Sequence, residues 1–329
     1  MATLTKLLVP SSSSAHLRSF DVRRDLKPVA DLVEQCFADT LDPDGERYLR
    51  QMRAAANNPG FLRWASLASE WASVPLSGFV WEEDGRLVGN ISLIPYVVKG
   101  RRYFLIANVA VHPEYRRRGI ARGLTARAMD QARLRGAAAT WLHVRENNEA
   151  AVTLYRSLGF IERARRTTWY STHEIPAGQV ASGFTLAPRQ PRYWKAQYAW
   201  LKRSYPPELT WHLPLNLNAL RPGLPGVFYR LITNTYVHHW AAIRNYRLEG
   251  VLTWQATSAY ANTLWLAVPP GDEDAVVHAL LLYARQNLSS RRALSLDYPA
   301  HRASQAIQST GFYPHQTLIW MSADLPKDR

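Results

Sequence analysis

The sequence predicts a mixed α/β sheet, a fold built twice over along one chain. Three observations predict it. Helical periodicity in the first part of the chain gives way near Gly78 to hairpin signals. A nearly continuous apolar run over residues 103–111 then leads into a long helix, as a buried central strand does. Finally, a shift of 152 residues lays Gly311-Phe312 on Gly159-Phe160, Ala303 on Ala151 and Gly271 on Gly119.

Val29, Leu32, Val33 and Phe37 fall at helical spacing and predict a helix over residues 28–37. A second helix is expected over 46–56, ended by Asn57-Asn58-Pro59-Gly60. Residues 79–81 read as a strand, Asp84-Gly85 as a hairpin turn and 87–94 as the returning strand. After the 103–111 strand come a helix (119–135), a strand (139–144), a helix (148–157) and a strand beyond Gly159-Phe160. The second half repeats the order: strands at 238–243, 251–255 and 263–268, a helix at 272–286, a strand at 293–297, a helix at 301–309 and a strand at 316–321. The expected division is a disordered tail (1–18), a first domain (19–172), a linker (173–192) and a second domain (193–329).

Composition narrows the functional classes. The 329 residues are 47% hydrophobic and 20% charged, as in an ordinary globular protein and unlike a disordered or fibrous one. One cysteine, Cys36, excludes a disulfide framework and a cysteine zinc cluster, and no metal is expected. No apolar run approaches the ~20 residues that cross a bilayer, and residues 1–14 lack a signal-peptide core. The chain therefore reads as cytoplasmic, with no membrane partner. Its net charge of +14 divides evenly, +7 over residues 1–175 and +7 over 176–329. Without aromatic–basic interleaving or a helix-turn-helix, that excess does not make a specific nucleic-acid binder.

One basic cluster is different. Arg116-Arg117-Arg118-Gly119-Ile120-Ala121-Arg122 joins the apolar strand to a helix. Glycine lets backbone approach an anion closely, and the first helical turn offers free N–H groups and the positive end of the dipole. The arginines add charge and, where they point inward, forked donors. The arrangement reads as a cradle for a pyrophosphate.

The Arg116-x-x-Gly119-x-Ala121 segment resembles motif A of the GNAT acetyltransferase superfamily. The segment Asn148-x-x-Ala151-x-x-Leu154-Tyr155-x-x-x-Gly159-Phe160 resembles its motif B, especially in protein N-terminal alanine acetyltransferases. The likeness covers roughly residues 21–170. It implies a tandem GNAT-like acyl-CoA N-acyltransferase fold whose second copy is degenerate. By that resemblance, the backbone of Val109, Ala110 and Val111 would pair with the pantetheine arm of acetyl-CoA. The N–H groups of Arg117, Arg118, Gly119, Ile120, Ala121 and Arg122, with the Arg116 side chain beside them, would hold the pyrophosphate. Asn148 would bond the pantetheine arm as well as cap its helix, and Tyr155 would protonate the leaving thiolate.

The general base departs from the family pattern. Relatives carry Trp-Leu-Glu-Val where this chain has Trp141-Leu142-His143-Val144. His143 takes the base role here, with Glu82, His112 and a water relay to bulk as competitors. Cys36 reads as a core residue rather than a nucleophile. In the second half the matching loop is Pro269-Pro270-Gly271-Asp272-Glu273-Asp274, with acids where a phosphate needs cations. No acetyl-CoA is expected there. Trp194, Trp200, Trp211, Trp240, Trp254, Trp265 and Trp320 read mostly as core.

The expected function is direct acetyl transfer from acetyl-CoA to a primary amine, either a small molecule or a protein N-terminus or lysine. The alternative is an acetyl-CoA-binding regulatory module without turnover.

Overall fold

A computed structural model describes residues 16–68, 77–174, 183–210, 213, 215–288 and 292–325. The chain forms two compact units, one of residues 1–163 together with 320–329, the other of residues 164–319. The expected boundaries shift accordingly. Residues 164–172 cluster with the second unit, and the end of the chain clusters with the first. Of the expected tail, residues 1–15 lie outside the described residues, while Leu17–Ser19 is a strand paired with Phe79, Val80 and Trp81. Of the expected linker, 175–182 lie outside the described residues and Thr185–Pro188 is a strand.

The first unit runs β1 (Leu17–Ser19), α1 (Val22–Phe37), α2 (Pro43–Ala56), α3 (Pro59–Ala68), β2 (Gly78–Glu83), β3 (Arg86–Val98), β4 (Arg101–Val111), α4 (Ile120–Leu134), β5 (Ala139–Arg145), α5 (Glu149–Ser157) and the start of β6 (Ile161–Ser171). Its sheet order is β1-β2-β3-β4-β5, followed by the last strand of the chain. Neighbours are antiparallel from β1 to β4, and β4 and β5 are parallel.

Helix α1 starts six residues before Pro28, because Asp21 caps it by accepting the Arg23 N–H at 2.9 Å. Pro28 is exposed, so the hydrogen bond it removes lies on the solvent side. The break expected at Asn57–Gly60 is a short hinge. The Asn58 carboxamide oxygen accepts the Phe61 N–H at 3.0 Å, and α3 begins at Pro59.

One face of the sheet buries Leu26, Val29 and Val33 of α1 with Leu49 and Met52 of α2. The other receives α4 through Ile120, Leu124, Ala128 and Ala132. Gly89 sets that approach: a Cβ there would lie 2.9 Å from the Ile120 side chain and 3.1 Å from that of Leu124.

The second unit continues β6 and runs β7 (Thr185–Pro188), α6 (Trp194–Ser204), α7 (Pro207–Thr210), α8 (Leu217–Leu220), α9 (Leu224–Thr233), β8 (Val237–Arg244), β9 (Arg247–Gln255), β10 (Asn262–Ala267), α10 (Asp274–Asn287), β11 (Leu294–Pro299), α11 (Ser304–Gln308) and β12 (Phe312–Asp324). From Trp320 onward β12 belongs to the first unit. The order β6-β11-β10-β9-β8-β7 carries one parallel pair, β10 with β11.

The duplication extends to packing. A Cβ on Gly250 of β9 would lie 2.9 Å from Val276 and 3.0 Å from Leu280 of α10, as Gly89 meets Ile120 and Leu124 of α4. In this match the helix residues lie 156 residues apart and the glycines 161, so the 152-residue shift does not hold here and Gly271 is not the counterpart of Gly119. Among the tryptophans, Trp265 and Trp320 are fully buried, Trp194, Trp200, Trp240 and Trp254 pack against the cores, and Trp211 lies outside the described residues.

Burial raises the pKa of several tyrosines, Tyr48 and Tyr155 to about 12 each. A phenol held above its unfolded value near 10 stabilises the fold fully below pH 10 and loses that contribution as pH climbs toward 12. Stability is therefore expected to fall by on the order of a few kcal/mol over that interval. Denaturant unfolding at stepped pH checks this, and a flat stability between pH 9 and 12 contradicts it.

Candidate functional site

The site begins where β4 and β5 stop pairing. Their parallel ladder ends at Ile106 and Leu142, although β4 continues to Val111 and β5 to Arg145. The strands splay beyond that point and leave backbone groups of β4 without a sheet neighbour. A bulge helps to turn them. Asn90 faces Ala110 and Ser92 faces Ala107, so one residue of β3 opposes two of β4. Asn108 takes the left-handed conformation (φ 50°) that the bulge needs. It is fixed by Asn90, which donates to its carbonyl at 2.9 Å, and by its own amide reaching the Tyr48 hydroxyl at 3.3 Å. The Asn90 side-chain oxygen is buried and has no partner.

Alternation decides which β4 groups face the opening. The His112 N–H donates to Val88 O at 2.9 Å, so Ala110, two residues earlier, is committed to β3. Val111 faces away from β3. Its carbonyl accepts from Cys36 Sγ at 3.3 Å and from Arg116 Nε at 3.2 Å. Cys36 is therefore beside motif A in space though remote in sequence. Burial pushes its thiol up, against the nearby Arg116, which keeps it a poor nucleophile.

The cradle follows. Gly119 caps α4 with φ 81°, and the first intrahelical bond is Gly123 N–H to Gly119 O at 2.9 Å. The N–H groups of Gly119, Ile120, Ala121 and Arg122 thus lack an intrahelical acceptor. A Cβ on Gly119 would meet nothing within 4 Å. Of the four arginines, three are engaged by the protein. Arg116 bonds Val111 O, Arg118 lies 4.7 Å above the Tyr115 ring, and Arg122 donates to Ser157 Oγ at 2.7 Å. Arg117 adopts φ 63°, and its side chain has no partner among the described residues.

Motif B sits on α5. Asn148 caps it, its side-chain oxygen accepting the Ala151 N–H at 3.1 Å, and its amide nitrogen makes no hydrogen bond among the described residues. The Tyr155 ring is buried edge-on to Phe160 at 5.8 Å. Its hydroxyl makes no hydrogen bond among the described residues.

His143 lies one residue past the end of the β4–β5 ladder, its ring 4.2 Å from Trp320 of the last strand. Its two competitors line a cleft of about 470 Å³ beside α1. Glu82 is held by Arg18 at 2.8 Å and Arg24 at 2.7 Å, and the two guanidiniums keep its carboxyl below the usual range. His112 is buried between Arg86 at 2.8 Å and Gln35 at 3.1 Å. Both are tied to other groups.

The acetyltransferase (GNAT) family profile matches residues 33–160. The chain is 46% identical over 65 residues to the ribosomal protein bS18-alanine N-acetyltransferase of Escherichia coli (strain K12), covering 20% of this chain and 44% of that protein. It is 35% identical over 99 residues to N-alpha-acetyltransferase 30 of Schizosaccharomyces pombe, covering 29% of this chain and 65% of that one. The profile match places residues 33–160 in the GNAT acetyltransferase family. The match thus spans less than half the length of the bacterial relative. A GCN5-related N-acetyltransferase from Sphaerobacter thermophilus shares the fold over 98% of both chains, with TM-score 0.56 and 16% identity.

The second unit opens in the same way and is then filled. The β10–β11 ladder ends at Leu264 and Leu296. Beyond it, the Tyr205 hydroxyl donates to Asp297 O at 2.9 Å and reaches the backbone of Leu266, bridging the two strands where they part. Arg166 pairs with Asp297 and donates to Ser204 O at 2.8 Å, and Trp265 packs edge-on to Tyr205 at 5.2 Å. Glu273 holds the N-cap position of α10, its buried side chain making no capping hydrogen bond and pairing instead with Arg302. A carboxylate thus stands at the start of α10, where α4 has Gly119. Among the described residues no group of three or more His, Cys, Asp or Glu could hold a metal. None of the described helices is long and apolar enough to cross a membrane.

Proposed function

We propose that the first unit transfers the acetyl group of acetyl-CoA directly to a primary amine, and that the amine is a protein or peptide N-terminus. The observation that carries this is the splay of β4 from β5 beside an α4 N-terminus opened by Gly119 at φ 81°. A diphosphate fits free N–H donors beside unpaired Arg117, and an extended arm fits an unpaired strand edge. The named relatives favour the acceptor class, since one acetylates an alanine of a ribosomal protein by its name and the other is an N-alpha-acetyltransferase.

In this reading the N–H groups of residues 117–122 hold the pyrophosphate, with Arg116 fixing the strand end behind them. Backbone of Val109 and Val111 lines the arm, Ala110 anchors their strand to β3, and the Asn148 amide is a further donor. The amine nitrogen attacks the thioester carbonyl, the C–N bond forms and the C–S bond breaks. His143 takes the amine proton, and Tyr155 gives its proton to the departing sulfur. A phenol raised to about 12 stays protonated at neutral pH, as an acid must before it acts. The filled cleft of the second unit supports one acetyl-CoA per chain.

The test is release of free CoA from acetyl-CoA by the full chain across peptides with Ala, Ser or Met N-termini, N-blocked lysine peptides and small amines. Turnover on unblocked N-termini is expected. A His143→Gln variant should lose roughly 10²-fold in kcat/KM. Thermal stabilisation by acetyl-CoA without turnover on any acceptor would leave a binding module instead.

A further inference from the structure

Helix α9 is amphipathic with its faces reversed. Leu224, Val227, Phe228, Leu231 and Ile232 recur at one helical face, and that face points to solvent. Leu224, Phe228, Leu231 and Ile232 are 84, 66, 75 and 69% exposed. The polar face turns inward. Arg230 donates to Ala219 O at 2.8 Å, the Asn216 amide donates to the Tyr229 hydroxyl, and Gly226 packs so closely on the Arg221 carbonyl that a Cβ would lie 1.8 Å from it. The helix is properly ended, by Gly223 at φ 78° and by Asn234 in the left-handed conformation. A well-formed helix that shows water its apolar side marks an interaction surface.

Two features say what covers it. The first is shape. Side chains at least two-thirds exposed stand clear of their neighbours, so they form a convex ridge and not a groove for a peptide. The second is charge. Residues 209–248 contain no Asp or Glu and carry Arg221, Arg230, Arg244 and Arg247. Behind the helix, Arg189 keeps two buried guanidinium nitrogens without any acceptor. Burial and the like charges of Arg189 and Arg230 push His239 down to about 3. Glu249, just beyond that acid-free stretch, already pairs with Arg244 at 3.8 Å, so a second copy docked across a two-fold axis would set Arg221 near its own counterpart with no uncommitted acid in this stretch to receive it.

We propose that α9 seats this protein on an anionic phospholipid surface, with Leu224, Phe228, Leu231 and Ile232 entering the headgroup boundary and Arg221 facing lipid phosphate. Such a helix lies in the interface and needs no spanning segment. This departs from the composition-based expectation of no membrane partner, which rested on the lack of a spanning apolar run.

The test is co-sedimentation of the full chain with vesicles of phosphatidylcholine containing a quarter phosphatidylglycerol, against pure phosphatidylcholine, in about 0.1 M salt. Binding to the mixed vesicles is expected. Pure phosphatidylcholine and the Phe228→Glu/Leu231→Glu double variant should each weaken it by roughly tenfold or more. The variant changes exposed side chains only and should keep the wild-type melting temperature and CoA release. Absence of vesicle binding, or equal binding by the variant, overturns the proposal. A concentration-dependent dimer in sedimentation velocity, abolished by the variant and accompanied by no vesicle binding, would assign the face to a second copy.

Discussion

Replacing Gly119 by glutamate is expected to abolish the stabilisation that acetyl-CoA confers. At φ 81° any side chain costs about 1–2 kcal/mol, but a Cβ meets open space, so the fold should survive. The carboxylate does the damage. It sits among the free N–H groups at the start of α4, accepts from them itself and repels the diphosphate. A Kd raised by roughly 100-fold removes about 2.7 kcal/mol of ligand stabilisation at a fixed concentration, enough to erase a thermal shift. Gly119→Ala separates the two causes, since it carries the strain without the charge and should keep most of the affinity. Calorimetric titration measures both variants. Wild-type affinity in Gly119→Glu would remove the cradle from the account.

Tyr155→Phe carries the second large effect, and it falls on turnover. The hydroxyl makes no hydrogen bond among the described residues, so its removal should leave folding nearly untouched while the ring keeps its contact with Phe160. Loss of a general acid costs about 10²–10⁴-fold in kcat. KM for acetyl-CoA should move little, because the proton passes only as the C–S bond breaks. A thioester with a more acidic leaving thiol should recover much of the rate in the variant. An unchanged kcat would return Tyr155 to the role of a core residue.

What was legible in the sequence was local. Gly119 is written into the pattern because only a left-handed turn lets the strand release into α4 at that point, and the 3.6-residue period marks α4 and α5. Asn108 was legible in principle, since an Asn amid the apolar residues of a strand marks a bulge, yet its effect on the β4 edge depends on Asn90 and Tyr48. The rest depends on partners far along the chain. Nothing near Tyr205 announces that it bridges Leu266 and Asp297, and nothing near Cys36 announces Val111. The 152-residue match paired Gly271 with Gly119 by identity, whereas packing of Val276 and Leu280 on Gly250 sets a different correspondence. Helix α9 was missed because its apolar spacing is ordinary, and only the fold shows that the stripe faces outward.

The ownership of β12 bears on how the molecule comes off the ribosome. The first unit takes Trp320 and the residues after it, yet 156 residues of the other unit are translated in between. At about 5–20 residues per second, the nascent first unit waits roughly ten to thirty seconds for this strand and for the indole that rests on His143. A ribosome stalled just short of that strand would hold a protein with both sequence motifs made and the sheet behind them still unfinished.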